Sequence, residues 1–308
     1  MDAIRTDNLI KRFGEVTAVD GLTLSVRPGE LFGLIGPDGA GKSTTMRMLT
    51  AIMNPGSGDA WVLGRQTSRD GEAIKGEIGY MSQRFGLYPD LTVQENLHFY
   101  ADIYGMGRVE RNRQIDRLLA FSNLAPFRQR RAGNLSGGMK QKLGLACALI
   151  HTPKILFLDE PTNGVDPVSR RDFWRILYQL LRQQVTIFVT TAYLDEADRC
   201  HRVGLIHQGR LIACDTPVKL RQLLQGTLME LRTESPRVAA LQLRQSFPPS
   251  AVGIFGDRIH LLVDDVAQGS ALARQILDAA NIPLWEMKQI EPSLEDVFVS
   301  VIGGRNRV

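Results

Sequence analysis

The sequence predicts an α/β fold on a mostly parallel sheet, with a helical insertion and a small C-terminal α+β domain. Three observations predict it. A glycine-rich stretch, Gly36-Pro37-Asp38-Gly39-Ala40-Gly41-Lys42-Ser43-Thr44, stands between an apolar run (Leu31 to Ile35) and a helical pattern from Ser43 to Met53. Two further runs, Ile155 to Leu158, which is continuously apolar, and Val185 to Val189, apolar but for Thr186, have the pattern of strands buried on both faces of a parallel sheet. Between them lies an amphipathic helix, with Phe173, Ile176, Leu177, Leu180 and Leu181 at spacings of 3, 4, 7 and 8 from Phe173. Strand, helix and strand with apolar strands imply right-handed crossovers.

Residues 2–35 read as short strands. Thr17-Ala18-Val19 and Leu22 to Val26 alternate or run apolar, and Arg27-Pro28-Gly29-Glu30 is a turn before the buried strand. Phe13 ends Lys11-Arg12-Phe13-Gly14. It either packs in a core or offers a flat surface on which a nucleotide base stacks.

The strand, glycine loop and helix that follow are the setting of a phosphate-binding P-loop. Glycines let successive backbone N–H groups turn inward around an anion. The helix start adds more donors and the positive end of a dipole. Lys42 would reach the β- and γ-phosphates, and the Ser43 hydroxyl would face Mg²⁺.

Next come a loop at Asn54 to Gly58, a strand from Ala60 to Leu63 and a strand over Ile78 to Met81 that ends at Ser82-Gln83. Gln83 is a candidate contact for Mg²⁺ or the attacking water, and equally a polar strand end. Residues 84–134 change character, with helical patterns over Val93 to Tyr104 and Val109 to Asn123, and the helical subdomain runs to about 152. At Leu135-Ser136-Gly137-Gly138, Ser136 can cap the helix that begins there. The glycines leave N–H groups uncovered, so the same segment could be a second phosphate-binding helix end.

The run ending in Asp159-Glu160 places two carboxylates at the C-terminal end of a buried strand, where α/β sheets bind ligands. Asp159 would hold Mg²⁺, and Glu160 would polarise the water that attacks the γ-phosphate. Two acids ionised there without a cation would be costly. In Asn163-Gly164-Val165-Asp166-Pro167 the turn runs into a helix, with Asp166 as cap and Pro167 at the first helical position.

Val203 to Ile206 and Leu211 to Cys214 flank Gln208-Gly209 as a hairpin. Asp215-Thr216-Pro217 starts a helix that Gly226 can end, so the boundary is placed there: residues 1–226 form one domain and 227–308 the other. The second domain reads as a strand at Leu228 to Leu231, a helix near Val238 to Phe247, a strand pair around Gly256, a helix from Ser270 to Ala280 and a strand near Trp285 to Ile290.

Composition narrows the function. At 308 residues and 44% apolar, the chain can bury a sizeable core. No apolar run approaches the ~18 residues that a membrane-spanning helix needs. The N-terminus lacks the apolar block of a signal peptide, so a cytoplasmic location is expected. Residues 227–308 hold eight Lys/Arg against ten Asp/Glu, a net of −2, which leaves +6 of the total +4 on residues 1–226. That excess suits a phosphate ligand or a membrane surface and falls short of a nucleic-acid footprint. Cys147, Cys200 and Cys214 have no metal spacing and read as buried thiols in a reducing compartment.

Taken in order, the P-loop, Gln83, Leu135 to Gly138, Asp159-Glu160 and Asn163 to Asp166 resemble the nucleotide-binding subunit of ATP-binding cassette (ABC) transporters over about the first 225 residues. The tail, Glu291-Pro292-Ser293-Leu294-Glu295-Asp296-Val297-Phe298, looks like the C-terminal extension of ATPase subunits that serve ABC-2-type exporters. The resemblance implies a P-loop NTPase core with an antiparallel β subdomain and a helical insertion. It also implies a head-to-tail dimer of ATPase subunits, of the same or different chains, enclosing two ATP molecules with Mg²⁺. Each ATP would lie between Gly36 to Thr44, Asp159 and Glu160 of one subunit and Ser136, Gly137 and Gly138 of the other, near Asp166 and beside Phe13. Separate integral membrane permease subunits would receive the motion near Gln83 and the helical insertion, at the cytoplasmic face of the membrane. One departure matters. Members usually carry a histidine where this chain has Ala192, within Thr190-Thr191-Ala192-Tyr193. Losing such a donor would weaken transition-state stabilisation by about 3–4 kcal/mol. Asp38, where asparagine is common, is a milder departure. Two other expectations follow: a soluble ATP switch of the same fold, and a binding-only regulatory partner in a heterodimer.

Overall fold

The computed structural model describes residues 1–83 and 86–305. Residues 84 and 85 of the expected helical insertion and the last three residues of the C-terminal domain lie outside the described residues. The chain divides into two compact units, Met1–Cys214 and Asp215–Val308. The division falls earlier than Gly226, and the short helix after Thr216 belongs to the second unit, where it packs on the last helix.

The first unit opens with β1 (Ile4–Phe13), β2 (Val16–Val26) and β3 (Leu31–Ile35). There follow α1 (Lys42–Leu49), β4 (Ser57–Val62), β5 (Arg65–Gln66), α2 (Gly71–Lys75) and β6 (Ile78–Met81). The insertion supplies α3 (Val93–Ile103), α4 (Arg108–Phe121) and α5 (Gly137–Ala148). The chain then returns to β7 (Ile155–Asp159), α6 (Pro167–Arg182), β8 (Thr186–Thr191), β9 (Arg202–His207) and β10 (Arg210–Asp215). One sheet has the order β2-β1-β4-β5 and is antiparallel. The other runs β10-β9-β3-β8-β7-β6 and pairs β9, β3, β8, β7 and β6 in parallel.

Every residue of β3, β7 and β8 is buried, including Asp159 at the end of β7 and the three threonines of β8. α1 joins the two sheets into one core. Its Met46, Met48 and Leu49 share a cluster with Ile4, Val26 and Val62 of the antiparallel sheet and with Phe157 and Phe188 of the parallel one. α1 is shorter than its apolar spacing predicts. The Thr50 hydroxyl donates back to the Met46 carbonyl at 2.9 Å, and Ala51 turns into the left-handed region at φ 55°. On α6 the buried face takes in Trp174, while Leu181 is only half-buried.

The second unit comprises α7 (Pro217–Arg221), β11 (Thr227–Thr233), α8 (Pro236–Leu243), β12 (Val252–Phe255), β13 (Arg258–Val263), α9 (Val266–Ala279), β14 (Leu284–Ile290) and α10 (Leu294–Arg305). Its antiparallel sheet, β12-β13-β11-β14, buries Leu231 and Leu261 against Leu243 of α8 and Leu277 of α9. α10 has no counterpart among the sequence expectations. Ser293 and Asp296 build its start: the Asp296 N–H donates to Ser293 Oγ at 3.3 Å, and the Ser293 N–H donates to Asp296 Oδ2 at 2.8 Å.

Among the described residues no helix is long and apolar enough to cross a membrane. Cys147 and Cys200 are buried, and burial pushes both thiols up; Cys214 is only half-buried.

Candidate functional site

β3 carries the chain to Gly36, and the loop closes at Gly41, whose φ is 103° and where a Cβ would lie 2.2 Å from the Ala18 carbonyl oxygen. Only glycine fits such a position. The Gly209 N–H donates to the Ala40 carbonyl at 3.0 Å and fixes the loop to the β9–β10 turn. No side chain caps α1, so its first-turn N–H groups remain available to an anion.

Lys42 is 3% exposed. Its ammonium donates to the carbonyls of Gly36 at 2.8 Å and Pro37 at 3.0 Å, and it pairs with Glu160 Oε1 at 3.0 Å. Asp38 lies 3.9 Å from the same ammonium but is exposed to solvent. The next residue, Ser43, donates its hydroxyl to Asp159 Oδ1 at 3.0 Å. Thr190 donates to the same oxygen at 2.7 Å, across the parallel pairing of Asp159 with Thr190.

Glu160 leaves the strand at φ 49°. Its N–H reaches the Thr190 carbonyl and hydroxyl oxygens, each at 3.1 Å. Its Oε2 accepts from Gln83 Nε2 at 3.0 Å and from Asn163 Nδ2 at 3.4 Å. Asn163 comes back over Glu160 because the chain turns there, the Asn163 N–H donating to the Glu160 carbonyl at 3.2 Å. Burial and the nearby Asp159 carboxylate push the Tyr80 phenol up.

The structure thus gathers Gly36, Pro37, Asp38, Lys42, Ser43, Gln83, Asp159 and Glu160. Gly39, Ala40, Gly41 and Thr44 complete the loop and the first turn of α1. Other expected residues stand apart: among the described residues, no hydrogen bond or ion pair links Ser136, Gly137, Gly138 or Asp166 to Lys42 or Glu160. Ser136 caps α5 through the Met139 N–H at 3.4 Å. Gly138 is a packing position, since a Cβ there would meet Ser169 Cβ at 2.5 Å, whereas Gly137 faces open space. Asp166 caps α6, accepting from the Val168 and Ser169 N–H groups at 3.1 and 2.9 Å, and the Ser169 bond holds its carboxyl below the usual range. Phe13 is 47% exposed at the end of β1, which removes core packing as its role.

Three residues escaped the sequence reading or were not given their contacts by it. Thr190 is fully buried and bridges both acids. Asn163 holds Glu160, and the Tyr193 hydroxyl donates to Asn163 Oδ1 at 3.3 Å. The available signal was the threonines that end a buried strand, Thr190 and Thr191, and a tyrosine immediately after Ala192. Ala192 is exposed and its side chain offers no donor.

Chemically, the loop and Lys42 can bind a phosphate chain. Ser43 and Asp159 present two hard oxygen donors 3.0 Å apart, a fit for a small divalent cation that takes its remaining ligands from phosphate and water. Glu160 is an oriented carboxylate able to accept a proton.

A protein-family model described as ABC transporter matches residues 19–163. The chain is 41% identical over 309 residues to a probable multidrug ABC transporter ATP-binding protein, YbhF, of Escherichia coli (strain K12), covering 98% of this chain and 53% of that protein, so it spans about half that relative's length. It is 37% identical over 305 residues to the Nod factor export ATP-binding protein I of Paraburkholderia xenovorans (strain LB400), covering 98% of this chain and 97% of that one. Among solved structures, a dimeric ATP-binding cassette in a post-hydrolysis state, bound to ADP and Pi, superposes with a TM-score of 0.64 at 25% identity, over 69% of this chain and 98% of that chain.

Proposed function

The chain belongs to the ABC transporter family of ATP-binding subunits, and from that premise we propose that it binds and hydrolyses ATP to drive a membrane exporter. The observation that carries the reading is the convergence of Lys42, Ser43, Asp159, Glu160 and Gln83 on one loop at the C-terminal ends of β3 and β7. In this reading the Gly36–Thr44 backbone and Lys42 take the phosphates. Ser43 and Asp159 would hold Mg²⁺, which when bound neutralises phosphate charge. Gln83 steadies the Glu160 carboxylate, and Glu160 accepts the proton of the attacking water.

Ser136, Gly137, Gly138 and Asp166 act in trans in the proposal. They stand apart from Lys42 within one chain, and the solved neighbour is a dimer bound to ADP and Pi. Two copies of this chain, or this chain and a different ATPase subunit, face each other head to tail, and each lends its α5 start to the other's nucleotide. ATP closes the pair and hydrolysis opens it. Integral permease subunits take up the motion at the cytoplasmic face of the membrane, and nucleic acid has no part. Export is supported by the relatives, one of them a Nod factor export ATP-binding protein.

Ala192 favours a second reading, in which this chain's own site turns over slowly and its α5 start completes a partner's site. The test is steady-state ATP turnover with Mg²⁺, with Glu160→Gln as background. Turnover well above background supports the first reading. Tight ATP binding with turnover at background supports the second.

A further inference from the structure

We propose that Tyr193 is a positioning residue for the hydrolytic carboxylate: its hydroxyl, through the Asn163 amide, fixes the face that Glu160 presents to the attacking water. The inference rests on the reading of Glu160 as general base given above.

The geometry allows one polarity along this chain of groups. An ionised carboxylate only accepts hydrogen bonds, so the Asn163 amide must turn its nitrogen to Glu160 Oε2, which it does at 3.4 Å. That leaves Asn163 Oδ1 as an acceptor, and the Tyr193 hydroxyl fills it at 3.3 Å. A reversed amide would set Oδ1 against the carboxylate, which is repulsive. The carboxylate thus sets the orientation of the amide, and the tyrosine hydroxyl, by donating to the oxygen that this orientation turns outward, anchors the far side of the amide.

Tyr193 is itself held. The Arg170 guanidinium lies 4.4 Å from the centroid of the Tyr193 ring, and the Tyr193 backbone N–H donates to Thr191 Oγ1 at 3.0 Å. Arg170 in turn faces the fully buried Glu196 carboxylate at 3.7 Å, and Glu196 also accepts from Thr162 Oγ1 at 2.8 Å and Trp174 Nε1 at 3.1 Å. The segment after β8 is thus tied to the segment after β7 on both sides of Asn163. Glu160 Oε2 has two amide donors, Gln83 and Asn163, and Oε1 faces Lys42. Tyr193, the residue after Ala192, brings a hydroxyl to bear on Glu160 through the Asn163 amide.

The experiment is a double-mutant cycle on the full chain, reading kcat and KM for ATP in Tyr193→Phe, Asn163→Ala and the double variant, with Glu160→Gln as background. Tyr193→Phe keeps the ring on Arg170 and removes only the hydroxyl. The expected result is a fall in kcat of about five- to tenfold with KM within about twofold, the size of one hydrogen bond lost from a charged group's support. The double variant should match Asn163→Ala alone, because Tyr193 acts only through the amide. An unchanged kcat in Tyr193→Phe overturns the inference, and so do losses that multiply in the double variant or fall on KM alone. Those outcomes, seen with active wild type, leave Glu160 as the base. Wild-type turnover at the Glu160→Gln level overturns the hydrolytic reading and this inference with it.

Discussion

Replacing Thr190 with valine tests whether the two acids are set by the strand beside them. The side chain is fully buried and valine matches its shape, so no cavity opens. Two hydrogen bonds change. The Glu160 N–H loses Thr190 Oγ1 but keeps the Thr190 carbonyl, also at 3.1 Å, so that loss is small. Asp159 Oδ1 loses its 2.7 Å donor and, among the described residues, keeps the Ser43 hydroxyl at 3.0 Å. One hydrogen bond to a buried charge is worth about 1.5–3 kcal/mol. Taking ~2 kcal/mol, the first unit's melting midpoint should fall by roughly 4–8 °C at its size. Trp174 is buried at 1% exposure and reports this unit's unfolding by its emission. The freed Asp159 should also raise the Mg²⁺ concentration needed for half-maximal turnover. Thr190→Ser, which keeps the hydroxyl, should retain the normal Mg²⁺ requirement. A Thr190→Val protein with under ~0.5 kcal/mol of lost stability and an unchanged Mg²⁺ requirement would refute the assignment.

Further outcomes are expected. Glu160→Gln should keep ATP binding and lose turnover, measured by nucleotide titration beside phosphate release. In the assembled complex Ala192→His should raise turnover, by at most about 10²–10³; an unchanged rate would remove Ala192 from the account of slow hydrolysis. In the second unit, burial pushes the Asp296 carboxyl up, but the imidazole of His260 at 2.6 Å and the Ser293 hydroxyl and N–H outweigh it and hold it below its ordinary 3.8. A lowered carboxyl stabilises the fold above its unfolded value and loses that contribution as pH falls through the lowered one. Circular dichroism against pH should therefore show that Asp296→Asn costs stability near neutral pH and costs progressively less below about pH 4.

What could be read beforehand was local. A strand buried on both faces is largely apolar, as β3 and most of β7 are, and a loop that cradles an anion needs glycine at Gly41, so both stand out in sequence. What could not be read depends on register and reach. Thr190 matters because parallel pairing sets it opposite Asp159. Tyr193 and Asn163 are separated by 30 positions and meet only when β7 and β8 lie side by side. α10 was hidden by its own composition. Val297, Phe298, Val299, Val301 and Ile302 favour strands by local preference. Burial of Leu294 and Val297 and the Ser293–Asp296 start make the segment helical instead. The face of α6 shifted toward Trp174 because its indole N–H has a buried partner in Glu196, a contact that hydrophobic spacing does not encode.

The pair of acids also poses a geometric problem that the backbone solves. Consecutive residues of a strand point to opposite faces, so Asp159 and Glu160 could not serve one site if β7 simply continued. They must instead meet Ser43 and Lys42, which are adjacent on the first turn of α1. Glu160 achieves this by adopting φ 49°, which costs a non-glycine residue of order 1–2 kcal/mol. The strain is held from both ends. The Glu160 N–H is fastened to Thr190 of β8, and its carbonyl accepts the Asn163 N–H in the turn that follows. The kink therefore swings the second carboxylate to the side of the first, between the Lys42 ammonium and the two amides. A left-handed residue without that support would relax toward extended backbone and carry Glu160 away from Lys42. The Thr190 and Asn163 contacts are thus what turn an Asp-Glu dipeptide into two groups with separate duties at one loop.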